Sequence, residues 1–153
     1  YINYSTQFNK LQLIKSGGFL KSYDICVSSD IGREYLYRYL GQTWCSEVVV
    51  FLQLLHKYDK QDNDKGKFIV ARDIQKKCLT HGCTFEINVS FDCYQSFQED
   101  MIELEDEFKN NGESFVMEHD IMAKTRREIK KLIVRERWKD FVQTFNNFDV
   151  FKA

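Results

Sequence analysis

An all-α fold, a bundle of about nine helices, is what this sequence predicts, and three observations predict it. Apolar residues recur at helical spacing along almost the whole chain. None of the 153 residues is proline and only seven are glycine, so helix breakers are scarce and proline-rich or collagen-like segments are excluded. Hydrophobic residues make up 43% of the chain and aromatic residues 15%. At this length that supplies a core for one domain, expected over 1–153.

Each expected helix has its own signals. Over 5–15, Phe8, Leu11 and Ile14 keep the period, Ser5 is placed to cap, and Gly17-Gly18 stop the run. Phe19, Leu20, Tyr23, Cys26 and Val27 form a second apolar face that ends at Ser28-Ser29-Asp30. Asp30 is the expected cap of a third helix carrying Ile31, Tyr35, Leu36, Tyr39 and Leu40, with Gly41 as its break. Thr43 is the expected cap of the next segment, Trp44 to Tyr58. That segment is apolar almost throughout and its Val48-Val49-Val50 run favours a strand, but its length and polar tail from His56 favour a buried helix.

Residues 59–67, DKQDNDKGK, read as a solvated loop without the acid spacing of a calcium site. Helical period resumes from Phe68 through Ile69, Ala71, Ile74, Cys78 and Leu79, and His81-Gly82 stop it. Residues 84–93 read either as an extended piece or as the start of a helix. An acidic helix follows over 96–110, with Phe97, Met101, Leu104 and Phe108 on one face and Glu99, Asp100, Glu103, Glu105, Asp106 and Glu107 on the rest. Asn110-Asn111-Gly112 end it. A basic helix over 120–139 surrounds Met122, Ile129, Leu132 and Ile133, and Trp138, Phe141, Val142, Phe145 and Phe148 continue to the last one.

Charge and motifs narrow the function classes. The 22 basic and 23 acidic residues leave a net charge of −1, which argues against bulk attraction to nucleic acid or anionic lipid. No apolar run reaches the ~20 residues of a membrane span. There is no phosphate-binding glycine loop and no G-x-S-x-G, and His56, His81 and His119 are scattered. The expectation is therefore a chain that is not itself an enzyme and uses no cofactor. Five cysteines without a CxxC pair fit a reduced, intracellular protein, in which the sequons at Asn3 and Asn88 are chance matches. Cys78, His81, Cys83 and Cys93 have the residue types of a zinc site but no common finger spacing, and Cys78 falls on the apolar period, so packing is the simpler reading. The basic run 124–139 is interrupted by Glu128 and Glu136, and the acidic run 99–120 is placed to neutralise it. A first residue that is Tyr1 rather than Met fits a fragment of a longer protein.

Blocks of residues carry a resemblance. GREYLYRYL over 32–40, three linking residues, then WCSEVVVFL over 44–52 resembles the opening of a regulator of G-protein signalling (RGS) domain. In that family a Phe-Leu pair stands where Tyr39-Leu40 are, and a Glu-Asn-hydrophobic-x-Phe-Trp helix where Glu47 to Leu52 are. Phe19 to Val27 fits the preceding family helix, and Ala71, Ile74, Cys78 and Leu79 fall at family core positions. Glu86-Ile87-Asn88-Val89-Ser90 is similar to the family's Glu-Val-Asn-Leu/Ile-Asp loop, and Met122 to Thr144 aligns without gaps to its closing helices. The best-matching blocks are 19–90 and 122–150, after an N-terminal helix over 1–18. Segment 91–121 is longer than typical members allow, so the expected fold is an RGS-like bundle with an extended acidic helix inserted before the last helix pair.

The resemblance implies function residue by residue. RGS domains bind the switch regions of an activated Gα subunit and hold them in the geometry of the hydrolysis transition state, while Gα supplies its own catalytic Gln and Arg. The loop Asn that helps position that Gln corresponds to Asn88, and the neighbouring contact positions to Thr43, Glu47, Val48, Glu86, Leu132, Glu136, Arg137 and Asp140. Three depart from the family: Val48 replaces an Asn, Arg137 a small Ser, and Asp140 an Arg. Val48 has a packing alternative, and Asp140 has the alternative of pairing with Arg137 or Arg135. The expected partner is a Gα subunit in its GTP or transition-state form, met by a cytoplasmic monomer recruited to the inner face of the plasma membrane through partner or flanking domains. The competing readings are an RGS-homology scaffold that binds without activating, as in Rho exchange factors or receptor kinases, and a helical interaction module unrelated to G proteins.

Overall fold

The computed structural model describes residues 18–146, and these are all-helical apart from turns and extended connections. The helices are α1 (Tyr23–Ser28), α2 (Asp30–Thr43), α3 (Ser46–Asp59), α4 (Asp64–Cys78), α5 (Phe91–Asn111), α6 (Ala123–Ile133) and α7 (Lys139–Asn146). A π-helical turn, Val134–Trp138, joins α6 to α7 without a break, and a 3-10 turn, Gly112–Ser114, follows α5. The helix expected over 5–15 and the position of Phe148 lie outside the described residues.

Side-chain caps set most of the starts. Ser22, Ser29, Asn63 and Ser90 each accept a hydrogen bond from the backbone N–H three residues on, at 3.2, 3.2, 2.8 and 3.2 Å. Three expected boundaries move for this reason. Ser29 rather than Asp30 caps α2. Asn63 caps α4 four residues into the expected 59–67 loop, so Gly66 is helical. Ser90 starts the acidic helix five residues early, which gives α5 21 residues and fixes 84–90 as turn and extended chain. Gly41 does not break α2, and Thr43 does not cap α3: its hydroxyl donates back to the Tyr39 carbonyl at 2.7 Å, inside α2. Cys45 precedes α3 without a side-chain cap. The Val48–Val50 run is helical, as its length required.

The chain forms two compact units, Tyr1–Trp44 with Lys131–Ala153, and Cys45–Lys130. In the first, α1 and α2 meet at Gly32, which is buried and within contact of the Cys26 backbone. The Cys26 thiol donates to the Gly32 carbonyl at 3.3 Å. Aromatic rings fill the rest of this core. Phe145 packs on Phe19 and Tyr35 at 5.2 and 5.6 Å between centroids, Phe141 on Tyr39 at 5.4 Å, and Trp138 on Tyr23 at 6.1 Å.

In the second unit α3 packs along α4, and the buried residues Phe51, Leu52, Leu55, Tyr58, Phe68, Ala71 and Ile74 come from these two helices. The segment expected as an insertion is part of this core. Phe97, Met101 and Leu104 of α5 are buried, and Phe108 and Phe115 close on Phe68 at 5.1 and 5.2 Å. The acidic helix finds its cation on α4, where Arg72 holds the Glu105 carboxylate through two bonds of 2.6 and 2.8 Å and stacks over Phe68 and Phe108. The basic helix contributes to neutralisation at its start. There Arg126 grips Asp59 at 2.8 Å and reaches Asp120 at 3.3 Å, and Asp120 accepts from the buried Tyr58 hydroxyl at 3.1 Å.

Candidate functional site

The positions implicated by sequence fall in both units. In the second, Glu47 lies in the first turn of α3, half-buried, where a carboxylate meets the unpaired N–H groups of the helix start. Val48 beside it is only 5% exposed, so it packs. This is the bland alternative that its apolar side chain allowed.

The loop that carries Glu86 and Asn88 is built from α4 outwards. Past Leu79 the chain turns through Gly82, whose φ of +82° suits glycine. It then returns alongside α4, with the Phe85 and Ile87 N–H groups donating to the carbonyls of Lys77 and Cys78 at 3.1 and 3.0 Å. Ile87 is buried, which points its neighbours outward, and both Glu86 and Asn88 are exposed. The Glu86 carboxylate accepts from the Gly82 N–H at 3.0 Å and lies 3.1 Å from His81 Nδ1. The Gly82 bond, with that of His81, holds its pKa below the usual glutamate value. At the far end the Ser90 N–H donates to Glu128 at 2.8 Å, and its hydroxyl donates to the same carboxylate. Asn88 is thus an exposed amide on a short loop tied down on both sides.

Cys78 is buried in α4, where burial pushes its thiol up to about 12, and Cys93 is buried beside the Thr125 hydroxyl at 3.3 Å. Both are core residues. Among the described residues no group of three or more His, Cys, Asp or Glu side chains is placed to hold a metal.

In the first unit, Thr43, Arg137 and Asp140 gather around Tyr39. The Tyr39 hydroxyl donates to the Asp140 carboxylate. Burial first, then this bond, raise the tyrosine pKa, while Thr43 and the Arg137 charge act the other way. The pairing of Asp140 with Arg137 or Arg135 is not what forms: Arg135 pairs with Glu136 at 3.3 Å, and Arg137 lies over the Trp44 ring at 5.6 Å. Leu132 is half-buried and Glu136 exposed. Arg137 and Glu136 sit in the π turn, which widens the helix by one residue and shifts the phase of everything beyond it. Sequence reasoning missed Tyr39 and Trp44 as members of this cluster. The available signal was the hydroxyl of Tyr39 at a place where the resemblance has Phe.

The Regulator of G protein signaling domain family model matches residues 21–148, spanning both units. The chain belongs to the RGS family. No curated protein matches it. Family membership makes this a regulatory domain of G-protein signalling rather than a catalytic fold, and the helical architecture agrees with it. Asn88, expected at the family's loop Asn, is exposed, while Val48 and Asp140, two positions expected to depart from the family pattern, are each occupied inside their own unit.

Proposed function

We propose that this RGS domain binds the switch regions of an activated Gα subunit and accelerates its GTP hydrolysis. The observation that carries the reading is Asn88: the amide that the family uses to steady the catalytic Gln of Gα is exposed on a loop braced by α4 on one side and Glu128 on the other. The domain donates no reacting group. Gα brings its own Gln to orient water and its own Arg to offset charge, and the RGS side restricts the switches to the geometry in which they act. Glu47, Glu86, Leu132 and Glu136 join Asn88 as contact positions in this proposal, and the site of action is the cytoplasmic face of the membrane where Gα resides.

Single-turnover hydrolysis by GTP-loaded Gα subunits, with and without the domain, tests it. Faster phosphate release with at least one Gα class is expected, and Asn88→Ala should remove most of the gain, a loss on the order of 10–100-fold in rate. Tight binding to transition-state-mimic Gα with no acceleration would replace this reading by the scaffold one. Absence of binding to every Gα class would remove both.

A further inference from the structure

Arg137 is the one half-buried arginine among the described residues that holds no acceptor. Arg33, Arg38, Arg72, Arg126 and Arg135 each hold a carboxylate. Arg137 has only the face of Trp44, 5.6 Å from its guanidinium carbon, and its buried Nε lacks a hydrogen-bond partner. Of the acids beside it on the helix, Glu136 pairs with Arg135 and Asp140 is taken by the Tyr39 hydroxyl. A guanidinium held over an indole and left without an anion keeps its terminal N–H groups free to meet one, in the planar fork that carboxylates fit. The π turn supplies the placement: Arg137 lies within Val134–Trp138, where the helix is one residue wider.

We propose that Arg137, on its Trp44 platform, is the receptor for an acidic side chain of the protein partner, and that Tyr39 keeps it available by holding Asp140. The partner is taken to be Gα on the reading above, but the carboxylate chemistry stands on the cluster itself. A charge pair desolvated at an interface contributes to specificity as well as affinity, so this contact sorts Gα subunits by whether they present an acid opposite Arg137.

Two measurements test it. In the first, the Nε–H signal of Arg137, assigned by its loss in Arg137→Lys, is followed by NMR while hexaglutamate or hexaglutamine is added. A saturable shift with hexaglutamate alone, larger than that of the exposed Arg127, is expected, and Tyr39→Phe should shrink it by freeing Asp140. An Arg137 signal that stays put, or moves no more than Arg127, overturns the proposal. In the second, transition-state-mimic Gα is bound to the variants. Arg137→Glu should weaken binding by about 30-fold and Arg137→Lys by about 5-fold, while Arg127→Gln stays within about twofold. Equal binding by wild type and Arg137→Glu overturns the proposal. If no Gα binds the wild type, the Gα reading fails by itself, and the hexaglutamate titration alone decides the carboxylate receptor.

Discussion

Gly32→Ala should be the most damaging single methyl group in the first unit. A Cβ at Gly32 would sit 2.3 Å from the Cys26 carbonyl oxygen, 3.0 Å from its carbon and 3.1 Å from its Cα. All three are backbone atoms, so no side-chain rotation relieves the clash. Restoring ordinary contact at 3.4 Å requires α1 to retreat by about 1 Å. That retreat opens the thiol bond from Cys26 to Gly32 and loosens the seat of Tyr23 and Phe19. Overpacking of this kind costs ~1–3 kcal/mol, and the backbone origin of the clash places it near the top of that range. Alanine returns up to ~1 kcal/mol through its better helix propensity, which leaves a net loss of ~2 kcal/mol. Gly66→Ala is the matched control: its new Cβ meets chiefly the Gln61 side chain, 2.7 Å from Oε1, which is able to swing away. That variant should be neutral or stabilised by up to ~1 kcal/mol. Urea unfolding followed by far-UV circular dichroism measures both. Equal stability of Gly32→Ala and wild type, or a loss in Gly66→Ala as large as in Gly32→Ala, would refute the close-contact argument.

Phe68→Ala should cost ~3–5 kcal/mol by equilibrium unfolding, because the ring is fully buried and joins α4 to Phe108 and Phe115. Arg72→Ala should cost only ~1 kcal/mol, since its pair with Glu105 is more than a third exposed and its stacking on Phe68 and Phe108 adds the rest; a loss above that measured for Phe68→Ala would contradict this order. Stability should also fall at alkaline pH. Burial raises Cys26 and Cys78 from 9.0 to about 12, so the thiols remain protonated in the fold while they ionise in the unfolded chain. Their contribution is complete below pH 9 and is lost as pH rises towards 12, at up to ~1.4 kcal/mol per pH unit for each thiol. Urea midpoints at pH 8, 9.5 and 10.5 should decline more steeply for wild type than for Cys26→Ala, and parallel declines would remove Cys26 as a cause.

The helical fold was legible because its signals are local. The α3 run of Val48, Val49 and Val50 reads as buried helix once its length is weighed against its β-branched residues, and α5 announces itself through Phe97, Met101, Leu104 and Phe108. Boundaries were less legible where two caps compete. Asn63 caps α4 inside what reads as a loop, and Thr43 turns its hydroxyl inward to Tyr39 instead of capping forward. Loop residues of the candidate site were legible as a motif, since Glu86 to Ser90 are contiguous. The Tyr39–Asp140 bond was not, because 101 positions separate its partners. The π turn also left no sequence trace: it changes which carbonyl each N–H finds, while Val134 to Trp138 have ordinary helical composition.

That turn makes chain length itself a variable in this helix. A π turn is equivalent to one residue added to a helix that could otherwise run unbroken, so the segment Val134–Trp138 is where α6–α7 is best able to lose one. Deleting Val134, which is 41% exposed, removes no core side chain. The wider turn and an α-helical turn each complete about one revolution, so Asp140 and Phe141 would keep their faces towards Tyr39. The segment is thus a place where this helix can change length while the side chains beyond it stay where they are.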